Sequence, residues 1–281
     1  MKVYRQLRTQ LESLYSPSEA DAIARRVMED VYGLSLTDLL MDKDNALSEE
    51  GLTNLTNIVA RLLKSEPVQY VTGMTEFCGR TFRVAPGVLI PRPETEELVG
   101  LILDETPSTE HTTLLDIGTG SGCIATSLAL ARPLWEVHAC DISQQALAIA
   151  RDNARRLDAN VSFRREDILH PDDTDARYDI IVSNPPYICT SEARQMEANV
   201  LDYEPSLALF VPDDDPLLFY RAIALYGLRH LVPQGAIYFE INRAYGRETA
   251  DMLGSLGYTD CTIRRDQFGN DRMLSAHLKQ T

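Results

Sequence analysis

The groups best suited to chemistry lie in one short segment, Ser183-Asn184-Pro185-Pro186-Tyr187. Two successive prolines remove N–H donors and stiffen the turn, so its carbonyl oxygens stay available as hydrogen-bond acceptors. The Asn184 side-chain oxygen and the Pro185 carbonyl oxygen can accept both hydrogens of an NH2 group, and Tyr187 can stack on the planar group that carries it. The segment therefore predicts a site for a planar amide or amino nitrogen.

Such a site suits the transfer of a carbon group to nitrogen. An amide nitrogen shares its lone pair with the carbonyl group, and the rotational barrier of about 18–20 kcal/mol in a peptide amide shows the scale of that resonance. Two acceptors that hold both N–H bonds favour a pyramidal nitrogen with a free lone pair. No strong general base is then required, because the proton can leave after the transfer. We therefore expect Asn184, Pro185 and Tyr187 to be the catalytic residues.

A second candidate site is a glycine-rich loop between a predicted strand and a predicted helix. Its glycines let a ligand approach the backbone closely, and the helix N-terminus adds exposed N–H donors. The spacing is Gly-x-Gly-x-Gly, not the Gly-x-Gly-x-x-Gly of dinucleotide-binding folds, and the carboxylate of Asp116 is unfavourable beside a diphosphate. A sulfonium cofactor with a cationic amino group fits this loop better. The loop thus predicts S-adenosylmethionine against Gly118, Thr119, Gly120, Ser121 and Gly122.

Two further acids follow the next two predicted strands. Asp141 stands where a carboxylate can accept hydrogen bonds from both hydroxyls of a ribose, a role shared by NAD sites and S-adenosylmethionine sites. Asp167 can accept a hydrogen bond from an adenine amino group while Ile168 covers the ring. For Asp167, a solvated loop acid is the alternative interpretation.

The elements that position these residues follow from the pattern after Thr113. Short apolar runs alternate there with helical patterns, which predicts an α/β fold with a parallel, doubly wound, Rossmann-like sheet and an antiparallel last hairpin. The candidate residues come within a few positions of the ends of the first four of these strands. The predicted strands are Leu114–Ile117, Val137–Ala139, Val161–Phe163, Ile180–Val182, Ile237–Ile241, Cys261–Ile263 and Met273–Ala276.

The chain before the sheet has a helical pattern. Ser16-Pro17-Ser18-Glu19 is a capping box with proline at the first helical position, and apolar residues then recur at helical spacing up to Val31. A second apolar stripe runs from Leu52 to Leu63, so we expect a small helical bundle. Strand-like residues around a glycine in Glu76–Val84 predict a β-hairpin. The predicted domains are an N-terminal helical domain at 1–66, a hairpin linker at 67–91 and an S-adenosylmethionine-dependent domain at 92–281.

Charge and composition narrow the classes of partner. The formal net charge of −15 disfavours general binding to phosphate backbones, so no direct nucleic-acid partner is expected. No stretch approaches the roughly 20 apolar residues of a membrane span, and the start of the chain lacks an apolar signal core. We expect a cytoplasmic protein and a monomer. The cysteines and histidines are scattered without metal-ligand spacing, which predicts reduced thiols and no metal site.

Further motifs extend over roughly residues 66 to 277. They are Tyr70-Val71-Thr72-Gly73, Glu76-Phe77, Ile90-Pro91-Arg92-Pro93-Glu94-Thr95-Glu96, Tyr203-Glu204-Pro205-Ser206-Leu207-Ala208-Leu209 and Gly269-Asn270-Asp271-Arg272. Together with Asp116–Gly122 and Asn184–Tyr187, these motifs make the chain similar to the protein-(glutamine-N5) methyltransferases of the HemK/PrmC type, which act on peptide chain release factors. The Arg-Pro-Glu-Thr-Glu and Tyr-Glu-Pro segments are specific, whereas Asn-Pro-Pro-Tyr also occurs in DNA and RNA amino-methyltransferases.

The resemblance implies a methyl acceptor and a partner. The acceptor would be the glutamine of a Gly-Gly-Gln loop in class 1 release factors, and the N-terminal domain would help to hold that partner. The residues that match the family's motifs would divide between two roles. Gly118 to Gly122, Asp141 and Asn184 would bind the cofactor, and Asn184, Pro185, Pro186 and Tyr187 would bind the glutamine.

Two positions depart from the family pattern. Ile168 stands where family members can have an aromatic residue, so adenine stacking there is not implied. Asn242 stands where glycine is expected, which predicts a different local turn. Neither change is expected to touch the methyl-transfer site.

Two other functions fit parts of the sequence. An adenine or guanine amino-methyltransferase would use the same Asn-Pro-Pro-Tyr chemistry on a flipped base. The negative charge opposes it, and a solvated surface is the plainer interpretation of the one basic cluster. A cofactor-binding scaffold without activity would have no need for paired amine acceptors. The basic cluster consists of Arg151, Arg155, Arg156, Arg164 and Arg165.

Overall fold

The computed structural model describes residues 2–107 and 111–279. The chain divides into two compact units: Met1–Met74 with Glu197–Tyr203, and Thr75–Met196 with Glu204–Thr281. The first, helical unit thus includes Glu197–Tyr203, and no pattern in the sequence predicts that this later segment belongs to it. Within the described ranges, no helix has the length and apolar character needed to cross a membrane.

The elements are numbered here in chain order. The helices are α1 (Lys2–Leu11), α2 (Pro17–Tyr32), α3 (Leu36–Leu40), α4 (Glu49–Leu62), α5 (Val68–Thr72), α6 (Pro93–Glu105), α7 (Cys123–Ala131), α8 (Gln144–Arg156), α9 (Ala198–Tyr203), α10 (Ser206–Leu209), α11 (Leu218–His230) and α12 (Gly246–Ser255). The strands are β1 (Met74–Phe77), β2 (Arg80–Arg83), β3 (Thr113–Ile117), β4 (Glu136–Asp141), β5 (Val161–Arg165), β6 (Tyr178–Ser183), β7 (Ile188–Cys189), β8 (Phe210–Val211), β9 (Leu231–Glu240), β10 (Tyr258–Arg265) and β11 (Asp271–Leu278). Short 3-10 helices cover Lys43–Ala46 and Thr190–Gln195.

The first unit is a bundle of short helices around its own core. The Ser16 hydroxyl accepts the Glu19 amide N–H at 3.4 Å at the start of α2, and Gly33, with φ of 65°, ends that helix in the left-handed conformation. The apolar stripes of α1, α2 and α4 pack against one another. Their fully buried members include Leu7, Leu11, Ala24, Val27, Met28 and Leu62.

The predicted β-hairpin is present as the two-stranded sheet of β1 and β2. Its turn residues, Cys78 and Gly79, have φ values of 48° and 68°. Two positive φ values in a two-residue turn match the twist of a hairpin. Buried Asn153 of α8 ties the hairpin down, because its amide pairs with the N–H and the carbonyl of Arg83 at 2.7 and 2.9 Å.

The second unit is built on a seven-stranded sheet in the order β10-β11-β9-β6-β3-β4-β5. Strands β5, β4, β3, β6 and β9 are parallel, while β11 is antiparallel to both β9 and β10. The predicted α/β fold with an antiparallel last hairpin is therefore confirmed. The chain runs outward from β3 through β4 to β5 and then returns to β6 on the other side of β3, so the direction of strand succession reverses between β3 and β6.

Alternate residues of the central strands face the two sides of this sheet, and helices cover both sides. Leu114 of β3 belongs to the core beneath α6 and α7, whereas the next residue, Leu115, belongs to the core beneath α11 and α12. Strands buried on both faces read as continuous apolar runs. That burial explains why the sequence marks these strands so clearly.

Two arginines of the basic cluster, Arg164 and Arg165, form hydrogen bonds with neighbouring groups of the protein. The Arg164 guanidinium pairs with buried Glu166 and donates to the hydroxyls of Tyr178 and Tyr226 at 3.0 and 3.1 Å. Arg165 donates to the Ile142 carbonyl oxygen at 3.0 Å. These bonds give Arg164 and Arg165 structural roles within the second unit.

One carboxyl group is fully buried at the end of β3. Asp116 is 0% exposed, and its Oδ2 accepts hydrogen bonds from the Thr119 hydroxyl at 2.6 Å and from the Ala125 N–H at 3.3 Å. Its Oδ1 has no hydrogen-bond partner among the described residues. Burial raises the pKa of Asp116 to about 7, against the opposing effect of these two donors.

This shift makes the stability of the ligand-free protein depend on pH. Between pH 4 and 7 the folded state binds the Asp116 proton more tightly than the unfolded state, so this group lowers stability as pH rises. Asp116→Asn removes the titration. The difference in free energy of unfolding between Asp116→Asn and the wild type should therefore depend on pH. In urea denaturation, we expect this difference to favour the variant by roughly 2–3 kcal/mol more at pH 8 than at pH 5.

Asp215→Asn is the matched control in the same unit. The hydrogen bond from Arg221 lowers the pKa of Asp215, so this group stays ionised throughout that range. Its substitution should shift the unfolding free energy equally at both pH values. The same flat response for Asp116→Asn would show that buried Asp116 does not titrate there.

Candidate active site

The glycine loop and the Asn-Pro-Pro-Tyr segment meet at the carboxyl ends of β3 and β6. These strands pair in parallel, with Asp116 opposite Val182, so the loops that follow them leave the sheet side by side. The Ser183 hydroxyl donates to the Ile117 carbonyl oxygen at 2.6 Å and joins the two strand ends directly. The glycine loop and the Asn-Pro-Pro-Tyr segment therefore form one site.

The glycine loop turns through three left-handed residues. Gly118, Gly120 and Gly122 have φ values of 73°, 55° and 79°. A Cβ atom on Gly118 or Gly120 would meet nothing within 4 Å, whereas one on Gly122 would lie 2.9 Å from the Cβ of Ala150. The first two glycines therefore border open space, and the third allows α7 to pack closely on α8.

Asp141, at the end of β4, holds this loop in place. Its Oδ2 accepts the Gly120 N–H at 2.9 Å, and its Oδ1 accepts the Ser143 N–H at 2.8 Å. Burial raises the pKa of Asp141, while these backbone donors oppose the rise. An ionised carboxylate has about four acceptor positions, so each oxygen retains capacity for a ligand hydroxyl.

These groups fit the predicted cofactor. S-adenosylmethionine carries a sulfonium charge, an amino group and a ribose diol, all of which favour nearby carboxylate oxygens. The buried Asp116 Oδ1 has no partner among the described residues, and Asp141 lies beside the open side of Gly118 and Gly120. An acidic loop with uncovered glycines therefore suits a cationic ligand.

The third predicted element of this site is arranged differently. Asp167 accepts the Leu169 N–H at 3.0 Å and lies 3.0 Å from His170 Nδ1, and the hydrogen bond to His170 is the main reason that its pKa is lowered. Ile168 packs against the core beneath α11 and α12. In this structure Asp167 bonds within its own turn and Ile168 packs against the core, so the adenine contacts of both residues stay a prediction.

Asn184 presents an oxygen without an intramolecular partner. Its side-chain Nδ2 lies 3.3 Å from the Thr95 hydroxyl oxygen in the first turn of α6. Among the described residues, neither the Asn184 Oδ1 nor the Pro185 carbonyl oxygen takes part in a hydrogen bond. Both oxygens therefore have unused acceptor capacity, and their contact with an NH2 group stays a prediction.

Tyr187 is fixed from several sides. Its hydroxyl donates to Glu240 Oε1 at 3.0 Å and lies 3.4 Å from Arg272 Nη1. Burial, followed by the Glu240 charge, raises the pKa of Tyr187, so the phenol stays protonated at neutral pH. The Asn242 side chain donates to the Tyr187 carbonyl oxygen at 3.0 Å. The expectation that Asn242 does not touch the methyl-transfer site is therefore wrong, because this amide anchors the turn after Pro186.

Two family motifs contain residues whose contacts could not be assigned from the sequence. Glu204, from the Tyr-Glu-Pro segment, accepts the Ile90 N–H at 3.1 Å and pairs with Arg92, which fixes the chain just before α6. Thr95, from the Arg-Pro-Glu-Thr-Glu segment, donates to Glu240 at 2.6 Å. The only sign of these residues in the sequence was that they belong to family motifs outside the glycine loop and the Asn-Pro-Pro-Tyr segment.

Comparison with protein families gives two matches. The Methyltransferase small domain matches residues 94–201, and the PrmC N-terminal domain matches residues 2–73. Among solved structures, a methyltransferase from Pyrococcus furiosus has a TM-score of 0.54 at 17% identity over 80% of this chain and 100% of its own. A 16S rRNA methyltransferase from Thermus thermophilus, in complex with AdoMet and guanosine, also has a TM-score of 0.54 at 17% identity, over 73% of this chain and 50% of its own. These structures show the fold alone.

Curated relatives are much more similar in sequence. The release factor glutamine methyltransferase of Bacteroides thetaiotaomicron is 53% identical over 96% of this chain and 97% of its own. The protein of the same name from Flavobacterium psychrophilum is 41% identical over 96% and 95%. Identity at this level over nearly the whole length places the chain in the release factor glutamine methyltransferase family.

Proposed function

We propose that the protein transfers a methyl group from S-adenosylmethionine to the side-chain amide nitrogen, N5, of the glutamine in the Gly-Gly-Gln motif of class 1 peptide chain release factors. The observation that carries this proposal is the pair of available acceptors, Asn184 Oδ1 and the Pro185 carbonyl oxygen, beside the glycine loop. Family membership supports the choice of glutamine as the acceptor.

The residues of the site divide the work. When bound, S-adenosylmethionine supplies an electrophilic methyl group. Asn184 and Pro185 hold the two N–H bonds of the glutamine so that the nitrogen lone pair is free to react, and Pro186 keeps the turn stiff. Tyr187 stacks on the amide plane. The nitrogen gains a methyl group and loses one proton, which leaves after the transfer, so this site uses no strong base.

We assign cofactor binding to the loop and acids beside it. The Gly118–Gly122 loop supplies close backbone approach, and Asp141 receives the ribose hydroxyls. Asp116 places negative charge near the sulfonium and amino groups. Asp167 and Ile168 are assigned to the adenine end, and Asn184 borders both ligands.

The N-terminal helices are proposed to recognise the release factor. Several large apolar side chains of this unit are exposed: Leu36, Leu40, Met41 and Leu52 are 42% or more exposed. Exposed apolar groups on a small unit favour contact with another protein. We further propose the domain division 1–66, 67–91 and 92–281, and a monomeric enzyme that acts in the cytoplasm.

The first test concerns the acceptor pair. Each N–H left unpaired in a dry pocket costs about 1–3 kcal/mol, so Asn184→Ala should lower kcat about 10- to 100-fold in transfer of labelled methyl to a release factor. Asn184→Asp should keep part of the activity because it retains an acceptor. A release factor with asparagine in place of the loop glutamine should take little label, since its amide stands one methylene short.

The same assay separates the two acceptor classes. An unmethylated nucleic-acid pool is supplied together with the release factor. Label in the nucleic acid, or equal label in a release factor that lacks the glutamine, would contradict the proposed acceptor and favour the nucleic-acid amino-methyltransferase.

The second test concerns Asp141. Loss of its charge-assisted hydrogen bonds should weaken S-adenosylmethionine binding by roughly 1–3 kcal/mol in titration calorimetry of Asp141→Ala. Exposed Glu136 on the same strand is the matched control, and Glu136→Ala should bind the cofactor as the wild type does. Unchanged affinity in Asp141→Ala would remove Asp141 from the cofactor site.

The third test concerns the N-terminal unit. The double substitution Leu40→Ser and Met41→Ser should raise KM for an intact release factor several-fold, because remote contacts position the substrate. It should leave the methylation of a short glutamine peptide unchanged. Leu134→Ser, which changes a 60% exposed leucine of the other unit, is the control. Unchanged KM in the double variant would assign the N-terminal unit another purpose.

A further inference from the structure

A buried polar cluster lies directly behind the Asn-Pro-Pro-Tyr segment. Thr95 is 3% exposed and Glu240 is 2% exposed, and both lie among apolar core elements. Burial of a carboxyl group costs free energy unless it is hydrogen-bonded, so an apolar pair would be the cheaper way to fill this space. The proposed chemistry does not use either side chain directly, and the presence of this polar pair in the interior therefore requires another explanation.

The cluster fixes the direction of a chain of hydrogen bonds. The Thr95 hydroxyl has one hydrogen, which it donates to Glu240 Oε2 at 2.6 Å. While Glu240 is ionised its carboxylate only accepts, so the Thr95 hydrogen cannot be directed elsewhere. The Thr95 oxygen therefore offers only lone pairs to the side-chain amide of Asn184, 3.3 Å away.

This direction selects one orientation of the Asn184 amide. The NH2 group must face Thr95, because a flipped amide would place two oxygens 3.3 Å apart with no hydrogen between them. The Asn184 Oδ1 is thereby turned away from Thr95. It remains available as an acceptor at the site.

The same carboxyl group also holds Tyr187. Glu240 Oε1 accepts the Tyr187 hydroxyl at 3.0 Å, and the Tyr187 oxygen then faces Arg272 Nη1 at 3.4 Å. Arg272 is held in turn by Asp266. Burial raises the pKa of Glu240, while the donors Thr95 and Tyr187 and the charge of Arg272 oppose the rise. One carboxyl group thus orients both sides of the glutamine site.

We propose that Thr95 and Glu240 are positioning residues that set the amide orientation of Asn184 and the ring position of Tyr187 for methyl transfer. This inference rests on the proposed function, because it specifies how the acceptor site of that reaction is held. It also gives the Arg-Pro-Glu-Thr-Glu segment a role, since Thr95 stands in the first turn of α6, where Glu204 and Arg92 fix the preceding chain.

The test compares substitutions that keep or remove the hydroxyl. Thr95→Val preserves the volume and removes the hydrogen-bond relay, so kcat should fall about 10- to 100-fold. KM for the release factor and the calorimetric affinity for S-adenosylmethionine should stay within about threefold. Thr95→Ser restores the hydroxyl and should recover kcat to within about threefold of the wild type.

Thr249→Val is the matched control. Thr249 is also fully buried, and its hydroxyl donates to the Tyr245 carbonyl oxygen at 2.7 Å within α12. It loses a buried hydroxyl outside the cluster, so its kcat should match the wild type. If Thr95→Val does not fold, Glu240→Gln tests the same positioning roles, because an amide offers only one acceptor oxygen to Thr95 and Tyr187. The kcat of Glu240→Gln should fall while its affinity for S-adenosylmethionine is retained.

A spectroscopic measurement reports the amide itself. The 15N–1H signals of the Asn184 side-chain NH2, assigned by their absence in Asn184→Ala, should move in Thr95→Val and stay in place in Thr95→Ser and Thr249→Val. Wild-type kcat in Thr95→Val, or an unmoved NH2 signal, would overturn the positioning roles while leaving the proposed function intact. Failure of the wild type to label glutamine would instead overturn the proposed function, and the NH2 signal would still decide the orientation.

Discussion

Where β3 and β6 end side by side, the Ser183 hydroxyl donates to the Ile117 carbonyl oxygen at 2.6 Å. This contact sits at the reversal of strand order, where the two loops diverge and leave a crevice at the carboxyl ends of the strands. Two further acids reach the same edge from neighbouring strands: Asp141 from β4 and Glu240 from β9. A change in the β3 to β6 register would separate the glycine loop from the Asn-Pro-Pro-Tyr segment, since each begins where one of these strands ends.

Local patterns were sufficient to predict the strands and the turn of the glycine loop, and they single out Asn184 and Pro185 as candidate acceptors. Strands buried on both faces leave continuous apolar runs, and the chemistry of Asn184 and Pro185 depends on adjacent residues. The Thr95 to Glu240 hydrogen bond was not predictable in this way, because it joins residues 145 positions apart in the sequence. Asn242 was misjudged for the same reason, since its hydrogen bond to the Tyr187 carbonyl exists only after β9 has paired beside β6.

The electrostatic character of the site follows from what surrounds each acid. Asp116 and Asp141 both have raised pKa values because of burial, and both lie beside the glycine loop. Asp266, by contrast, accepts several backbone N–H groups and pairs with Arg272, and its pKa is lowered. The two acids beside the glycine loop are thus less well compensated than Asp266, which suits a ligand that brings positive charge with it.

The membership of Glu197–Tyr203 in the helical unit has a consequence for synthesis of the chain. A ribosome releases residues in order, so the first 74 residues emerge well before this last piece of their unit. The Tyr203 hydroxyl, which donates to the Lys64 carbonyl oxygen at 2.8 Å, is among the contacts that must wait. The helical unit is therefore completed only after β3 to β6 and the loops that follow β3 and β6 have been translated, whereas β9 is translated later still.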